Sequence, residues 1–197
     1  MPQPDSKLAI TRDRYDAVLF DLDGVITDTA NLHAACWKRM FDEYLQERAS
    51  AKGELLRAFD LVRDYRLYVD GKPRFDGVRD FLTSRGIRLP EGSPDDPPQA
   101  ETVGGLGNRK NELVNKVIAE AGVEPYEGSV KLVHQLRNHG LKIGVVTSSQ
   151  NCEAVLKAAK LDGNFDVQID GNEIEAKQLA GKPAPDTFLM AAKILGG

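Results

Sequence analysis

The two ends of the chain alternate short apolar runs with segments of helical periodicity. Three apolar runs bounded by acidic, hydroxyl or glycine residues are typical of buried strands in a parallel sheet and are predicted to be strands: 17–20, 142–147 and 165–169. Apolar residues three or four positions apart predict helices at 130–138, at 151–160 and after Pro185. Strands that alternate with helices in this order predict a doubly wound parallel sheet, so the fold class is α/β.

The middle of the chain contains no convincing strand. The spacing of its apolar residues predicts four helices: 31–48, 54–67, 78–85 and 110–121. We therefore predict an all-helical cap domain over 30–124. It is inserted into an α/β core made of 1–29 and 125–197, because the first helix leaves the sheet instead of crossing back.

Two breaks in the helical segment are rich in residues that favour turns. The stretch 90–99, with its prolines and aspartates, is expected to be a surface loop. Gly104, Gly105 and Gly107 lie close together, but no strand precedes them and their spacing is not that of a nucleotide-binding loop. A hinge or a turn is the favoured interpretation of these glycines.

Composition narrows the class of protein. With 41% hydrophobic and 28% charged residues among 197, the chain resembles a soluble globular protein that can build a core without disulfides. Its net charge of −4 argues against a nucleic-acid partner. The polar N-terminus suggests neither a signal peptide nor a membrane partner, and Cys36 and Cys152 match no metal spacing. We expect a cytoplasmic monomer whose cysteines are buried free thiols.

Asp21 and Asp23 stand two residues apart at the end of the first predicted strand. If the extended geometry continues that far, both carboxylates emerge on one face. Unpaired, they would repel each other in a partly desolvated pocket, and a hard cation such as Mg²⁺ relieves that repulsion. Acid pairs of this kind also occur in turns and helix caps, so the spacing alone leaves a structural role open.

Two later segments carry groups that suit a phosphate. The predicted strand 142–147 leads into Thr147, Ser148 and Ser149, whose hydroxyl and N–H groups open the next helix. An ordinary helix N-cap explains these residues equally well. Lys182 in GKPAPDTF precedes a proline and is predicted to be held extended, where its ammonium neutralises a nucleophile and phosphate oxygens. A solvated surface lysine is the alternative.

The runs VLFDLDGVITDT, KIGVVTSSQN and GKPAPDTF together resemble the haloacid dehalogenase superfamily, and within it the β-phosphoglucomutase-like subgroup. The likeness covers the core, with a fainter match in the cap. It implies that Asp21 is the phosphorylated nucleophile and that Asp23 is the general acid and base. It also implies Mg²⁺ on the Asp21 carboxylate and the Asp23 carbonyl. Three groups would hold the phosphoryl oxygens: the Thr147 hydroxyl, the Ser148 N–H and Lys182.

The same resemblance extends to three residues of the predicted cap. His33 matches a histidine near the hinge, Arg79 in FDGVRDF matches a phosphate-binding arginine, and Lys110 in NRKNEL matches a cap lysine. The competing interpretations are a histidine satisfied by hydrogen bonds at the domain junction and two cations on solvated helix faces.

One feature of the superfamily is missing from the sequence. Its further metal-binding acids lie on a strand after the lysine helix, whereas this chain ends in Ile-Leu-Gly-Gly at 194–197. We expect either a truncated chain that lacks the C-terminal part of the core or a site with weak metal binding. Truncation is favoured, because ending there also removes a strand and leaves core surface uncovered.

The favoured function is Mg²⁺-dependent phosphoryl transfer through an aspartyl-phosphate on a small sugar phosphate, most simply conversion of β-glucose 1-phosphate to glucose 6-phosphate. A sugar-phosphate phosphatase, in which water accepts the phosphoryl group, uses the same core residues and stays open. A dehalogenase is disfavoured, because its chemistry has no use for an acid at Asp23. The alternative from another class is a non-catalytic truncated binding module.

Overall fold

A three-stranded parallel sheet lies at the centre of the protein. The computed structural model describes residues 10–53 and 57–197. The strands are β1 (Ala17–Asp21), β2 (Lys142–Val146) and β3 (Val167–Ile169), in the order β1-β2-β3, and both neighbouring pairs are parallel. Asp21 pairs with Val146, so the carboxyl ends of β1 and β2 meet at one edge of the sheet. The predicted α/β class is confirmed.

Helices account for much of the rest of the described chain. They are α1 (Thr29–Lys52), α2 (Arg74–Ser84), α3 (Val103–Ala121), α4 (Glu127–Asn138), α5 (Cys152–Ala158), α6 (Gly171–Ala176), α7 (Asp186–Leu195) and a π-helical turn at Tyr65–Val69. Side chains of β2 alternate between the two faces of the sheet. Ile143 and Val145 pack with side chains of α4 and α5, whereas Val146 packs with Ala191 and Leu195 of α7. Helices therefore cover both faces, as a doubly wound sheet requires.

The described residues between β1 and α4 add no strand to the sheet. Helices α1, α2 and α3 and the π-helical turn pack around their own hydrophobic cluster, which centres on aromatic rings. The ring centroid of Phe41 lies 5.2 Å from that of Trp37 and 4.0 Å from that of Phe81. Aromatic rings bury large apolar areas and stabilise this part of the chain. The division of the chain at residues 30 and 124 stays a prediction.

The helix predicted at 54–67 is wrong over most of the part that the structure describes; residues 54–56 lie outside that part. Phe59 is instead buried in an irregular segment, with its ring centroid 5.4 Å from that of Phe41. Helical structure begins only after Asp60, whose carboxylate accepts two backbone N–H groups of the following turn at 2.9 and 2.6 Å. Burial of the large phenylalanine side chain outweighs the weak local preference for a helix.

Gly104, Gly105 and Gly107 lie inside α3, so their prediction as a hinge or turn is wrong. A Cβ on Gly104 would lie 2.1 Å from the Ser93 carbonyl oxygen, and one on Gly107 would lie 2.7 Å from the Phe75 ring. Glycine is required because α2 and the predicted proline-rich surface loop, which is present, pack directly against the backbone of α3.

Other differences from the sequence prediction concern the ends of elements and one short helix. Helices α2 and α4 begin earlier than predicted, and α6 was not predicted. The Asp170 carboxylate starts α6 by accepting the N–H groups of Asn172 and Glu173 at 2.9 and 3.1 Å. Cys36 and Cys152 are buried and free, as predicted. Among the described residues, no helix has both the length and the apolar character of a membrane span.

Candidate active site

Asp21 ends β1 and lines a cleft between the sheet and the inserted helices. The Leu22 N–H donates to its Oδ1 at 2.8 Å, and the Lys182 ammonium lies 2.8 Å from its Oδ2. The Asp21 side chain keeps 36% of its surface exposed, against 17% for Lys182. A carboxylate that is oriented, charge-compensated and still accessible suits a nucleophile.

Lys182 reaches Asp21 from a turn just before α7, where the Lys182–Pro183 peptide bond is cis. A turn stands here in place of the extended geometry that the sequence predicts. The ammonium also lies 5.3 Å from the centroid of the Phe188 ring, a favourable cation–π position. A carboxylate and an aromatic ring therefore hold this lysine at the nucleophile.

Donors surround the carboxylate of Asp23 in the same cleft. The Thr29 hydroxyl donates to Oδ1 at 2.5 Å and the Thr147 hydroxyl donates to Oδ2 at 2.7 Å. His33 Nε2 lies 3.3 Å from Oδ1. Burial alone would raise the pKa of Asp23, but the nearby His33 and the hydroxyls of Thr147 and Thr29 hold this pKa far below its ordinary value. Asp23 is therefore an ionised carboxylate.

His33 and Lys110 are buried behind Asp23 and join α1 to α3. The Lys110 ammonium lies 2.8 Å from His33 Nδ1 and 4.8 Å from the centroid of the Trp37 ring. Burial lowers the pKa of Lys110 to about 8. Burial, and after it the charge of Lys110, lowers the pKa of His33. Because Nδ1 accepts from Lys110, the proton of a neutral His33 ring sits on Nε2, which faces Asp23.

Thr147, Ser148 and Ser149 lie in the loop before α5. The buried Thr147 hydroxyl, which donates to Asp23, also accepts the Ser149 N–H at 3.0 Å. The Ser148 hydroxyl donates across the cleft to the Gly71 carbonyl at 2.6 Å. The hydroxyls of Thr147 and Ser148 thus connect the predicted phosphate loop to Asp23 and to the inserted helical segment.

Two arginines of α2 line the cleft, and their donors differ in availability. Arg79 donates to Asp76 at 2.6 Å and to Glu91 at 2.8 and 3.0 Å. Arg74 donates from Nη2 to Asn108 at 2.8 Å, but its buried Nε and Nη1 have no hydrogen-bond partner in the described ranges. Unpaired donors of a half-buried cation suit an anionic ligand, so Arg74 is better placed for a phosphate than Arg79, which the sequence prediction named.

The cleft encloses about 420 Å³ and is lined from both sides. Several residues that line or support it escaped the sequence prediction, among them Thr29, Arg74, Gln150 and Glu175. Thr29 stands in the polar cluster that follows the acids, and Arg74 directly follows a proline that precedes a helix, so both had a local signal. Gln150 and Glu175 are brought together only by the fold.

Asp21 and Asp23 offer the oxygen donors that Mg²⁺ prefers. This ion is usually held by one or two carboxylates together with water and substrate phosphate, so the donor set fits it. In the parts of the chain that the structure describes, no group of three or more His, Cys, Asp or Glu side chains forms a metal site. Asp21 and Asp23 are therefore a partial ligand set for this ion.

Comparison with known proteins agrees with this geometry. A family profile described as haloacid dehalogenase-like hydrolase matches residues 15–197. The chain belongs to this family. Phosphotransferases of the haloacid dehalogenase-like family generally use Mg²⁺.

Several relatives in this family are named β-phosphoglucomutase. The β-phosphoglucomutase of Mycobacterium bovis is 49% identical over 195 residues, which cover 99% of this chain and 74% of the relative. That of Bacillus subtilis is 31% identical, covering 91% of this chain and 69% of the relative. A crystal structure of β-phosphoglucomutase from Clostridium difficile matches with a TM-score of 0.70 and 25% identity, over 91% of this chain and 70% of that one. The predicted resemblance is confirmed, while the roles of individual residues stay predictions.

Proposed function

We propose that this haloacid dehalogenase-like protein is a β-phosphoglucomutase that transfers a phosphoryl group through an aspartyl-phosphate at Asp21. The observation that carries the proposal is the presence, at one cleft, of an accessible Asp21 carboxylate held by Lys182 and an ionised Asp23. The identity of 49% to the β-phosphoglucomutase of Mycobacterium bovis supports a small sugar phosphate as substrate. A monomer and a cytoplasmic location stay predictions.

Asp21 is the nucleophile. One of its carboxylate oxygens forms a bond to phosphorus while the bond from phosphorus to the sugar oxygen breaks, which leaves an aspartyl-phosphate and a sugar hydroxyl. Lys182, 2.8 Å from Asp21, offsets the negative charge of the approaching phosphate. We assign the phosphoryl oxygens to Lys182 and the Ser148 N–H.

Asp23 moves the proton. As a carboxylate it accepts the proton of a sugar hydroxyl whose oxygen attacks the aspartyl-phosphate, and this attack regenerates Asp21. In the opposite half-reaction Asp23 returns the proton to the leaving sugar oxygen. Thr147 positions this acid, because its hydroxyl donates to Asp23 at 2.7 Å. His33 positions it from the other oxygen, at 3.3 Å.

Two positive charges complete the site. Mg²⁺ held by the Asp21 carboxylate and the Asp23 carbonyl would supply a charge that neutralises the nucleophile and the transferred phosphate. At the other end of the ligand, the free donors of Arg74 suit a second phosphate. A sugar that carries phosphate at either end can thus be held in two orientations.

Contacts across the cleft favour a sugar hydroxyl over water as the acceptor. The Ser148 hydroxyl bonds to the Gly71 carbonyl at 2.6 Å, and Gly181 lies so close to Pro73 that a Cβ would approach the proline ring to 2.5 Å. Both contacts bring the inserted helices against the sheet next to Asp21, and a closed cleft limits attack by water. We therefore favour a mutase over a sugar-phosphate phosphatase.

The test is incubation of the protein with β-glucose 1-phosphate, Mg²⁺ and a trace of the sugar bisphosphate as phosphoryl donor, followed by phosphorus NMR. Glucose 6-phosphate is the expected product, and Asp21→Asn, with near-normal folding, is expected to form none. Inorganic phosphate as the only product would contradict the mutase and favour the phosphatase. If neither product forms and an aryl phosphate is not hydrolysed with the complete C-terminus restored, the protein is a binding module.

A further inference from the structure

Glu175 is a carboxylate in the cleft that the proposed mechanism does not use. It lies on α6 and lines the cleft together with Gln150 and Arg74. The Gln150 amide, Nε2, donates to Glu175 Oε2 at 3.0 Å. A negative charge here repels a phosphorylated ligand, so its place in the cleft calls for a role.

The attachment of α6 fixes where Glu175 stands. The Gly171 N–H donates to the Ser149 carbonyl at 3.0 Å, and the Asn172 side-chain amide donates to the Gln150 carbonyl at 3.2 Å. A Cβ on Gly171 would lie 2.7 Å from Gln150 Cγ, so the helix packs directly against the loop that precedes α5. The carboxylate therefore keeps a defined position relative to the phosphate loop.

Arg74 comes to the cleft from the inserted helices, whereas Glu175 comes from the core. Burial lowers the pKa of Arg74, and the negative charge of Glu175 acts in the opposite direction, so the two groups are electrostatically coupled. Two buried donors of Arg74 are left without a hydrogen bond among the residues described, whereas Glu175 is bonded to Gln150. The carboxylate attracts the guanidinium but leaves its donors open.

We infer that Glu175 limits the affinity for phosphorylated ligands, because it competes with the distal phosphate of the ligand for Arg74. Gln150 holds the carboxylate of Glu175 at the cleft wall. A phosphate can therefore bind the unpaired donors of Arg74, although the negative charge of Glu175 opposes this binding. The inference rests on the proposed function, because it concerns the end of the sugar phosphate that lies away from Asp21. Its consequence is weaker binding and faster release of phosphorylated ligands.

Calorimetric titration with glucose 6-phosphate in the Asp21→Asn background tests this, because no turnover occurs. Since exposed charge pairs are weak, removing the opposing charge with Glu175→Gln is expected to tighten binding about two- to five-fold. Glu173→Gln makes the same charge change on the same helix but outside the cleft, and is expected to leave binding unchanged. Adding Arg74→Met is expected to abolish the gain from Glu175→Gln.

Unchanged or weaker binding after Glu175→Gln would overturn the inference, as would a gain that persists without Arg74. Weaker binding would mean that Glu175 accepts a sugar hydroxyl instead. Because Glu175 is exposed, its replacement leaves the core intact, and circular dichroism of each variant checks this. The titration needs no catalysis, so a protein without mutase activity that still shows the coupling would refute the proposed function and keep this inference.

Discussion

Replacing Gly181 with alanine is expected to prevent full closure of the cleft. The added Cβ would lie 2.5 Å from two ring atoms of Pro73, whereas ordinary contacts lie at 3.4–4 Å. The two segments therefore have to separate by about 1 Å, since packed atoms resist closer approach. Alanine itself suits the backbone, because Gly181 does not have a positive φ.

The displacement acts next to Lys182, which holds the nucleophile. Misplacement of catalytic groups by about 1 Å costs on the order of 100-fold in rate, so kcat/KM for β-glucose 1-phosphate is expected to fall about 100-fold. The fall is measured as glucose 6-phosphate formation in a coupled assay. The share of inorganic phosphate among the products is expected to rise, because an open cleft admits water.

Two further variants separate closure from other effects. An alanine at Gly128, on α4, meets no atom within 4 Å, and Gly128→Ala is expected to leave kcat/KM unchanged. Pro73→Ala removes the two ring atoms that the new Cβ would meet. The double variant Pro73→Ala with Gly181→Ala is therefore expected to have nearly the same kcat/KM as Pro73→Ala alone. Activity of Gly181→Ala within about three-fold of the parent, where a 100-fold loss is expected, or a failure of this rescue, would refute the reasoning.

Three other outcomes follow from the structure. Arg74→Met is expected to raise KM for β-glucose 1-phosphate by about ten-fold or more, through loss of charge-assisted hydrogen bonds, and Arg79→Met by less than about three-fold; equal effects in steady-state kinetics would contradict this. The pKa of buried Lys110 is about 8, below that of an unfolded lysine, so the unfolded state binds more protons above pH 8. The free energy of unfolding is therefore expected to rise between about pH 8 and pH 10.4, by up to about 3 kcal/mol relative to that of Lys110→Met. Urea melts in which this free energy changes equally with pH in the two proteins would contradict the expectation. Arg85→Met removes the buried partner of the fully buried Asp64 carboxylate and leaves it only the more distant Arg57, at 3.6 Å, among the ion pairs of the described residues. The free energy of unfolding is expected to fall by about 3 kcal/mol, and a loss under about 1 kcal/mol in urea melts would mean that Arg57 and backbone donors suffice.

Much of the core and of its nucleophilic side is predictable from local sequence. Asp21 and Asp23 follow an apolar run, and a run of that kind forms a buried strand whose carboxyl end faces the cleft. Lys182 stands out because it directly precedes a proline. These features depend on residues that are adjacent in the chain, so the local sequence is sufficient to predict them.

The inserted helices are less predictable, because their boundaries depend on packing between distant segments. Phe59 lies in an irregular segment because its ring packs beside that of Phe41, which precedes it by 18 positions, and this contact overrides the helical spacing. Position 104 needs a glycine although it lies inside a helix, because the Ser93 carbonyl oxygen occupies the space that a Cβ would fill. Neither contact is visible in the periodicity of the chain.

The sequence by itself determined the α/β class, because strands and helices alternate along the chain. It also singled out Asp21, Asp23 and Lys182 as candidate site residues, because each stands in a short contiguous motif. Only the tertiary structure decided which arginine is available. Arg79 bonds to two carboxylates, whereas two buried donors of Arg74 have no hydrogen-bond partner within the described part of the chain, and the negative charge of Glu175 acts on Arg74. The availability of a charged group depends on which partners the fold places within hydrogen-bonding distance, and those partners come from other segments of the chain.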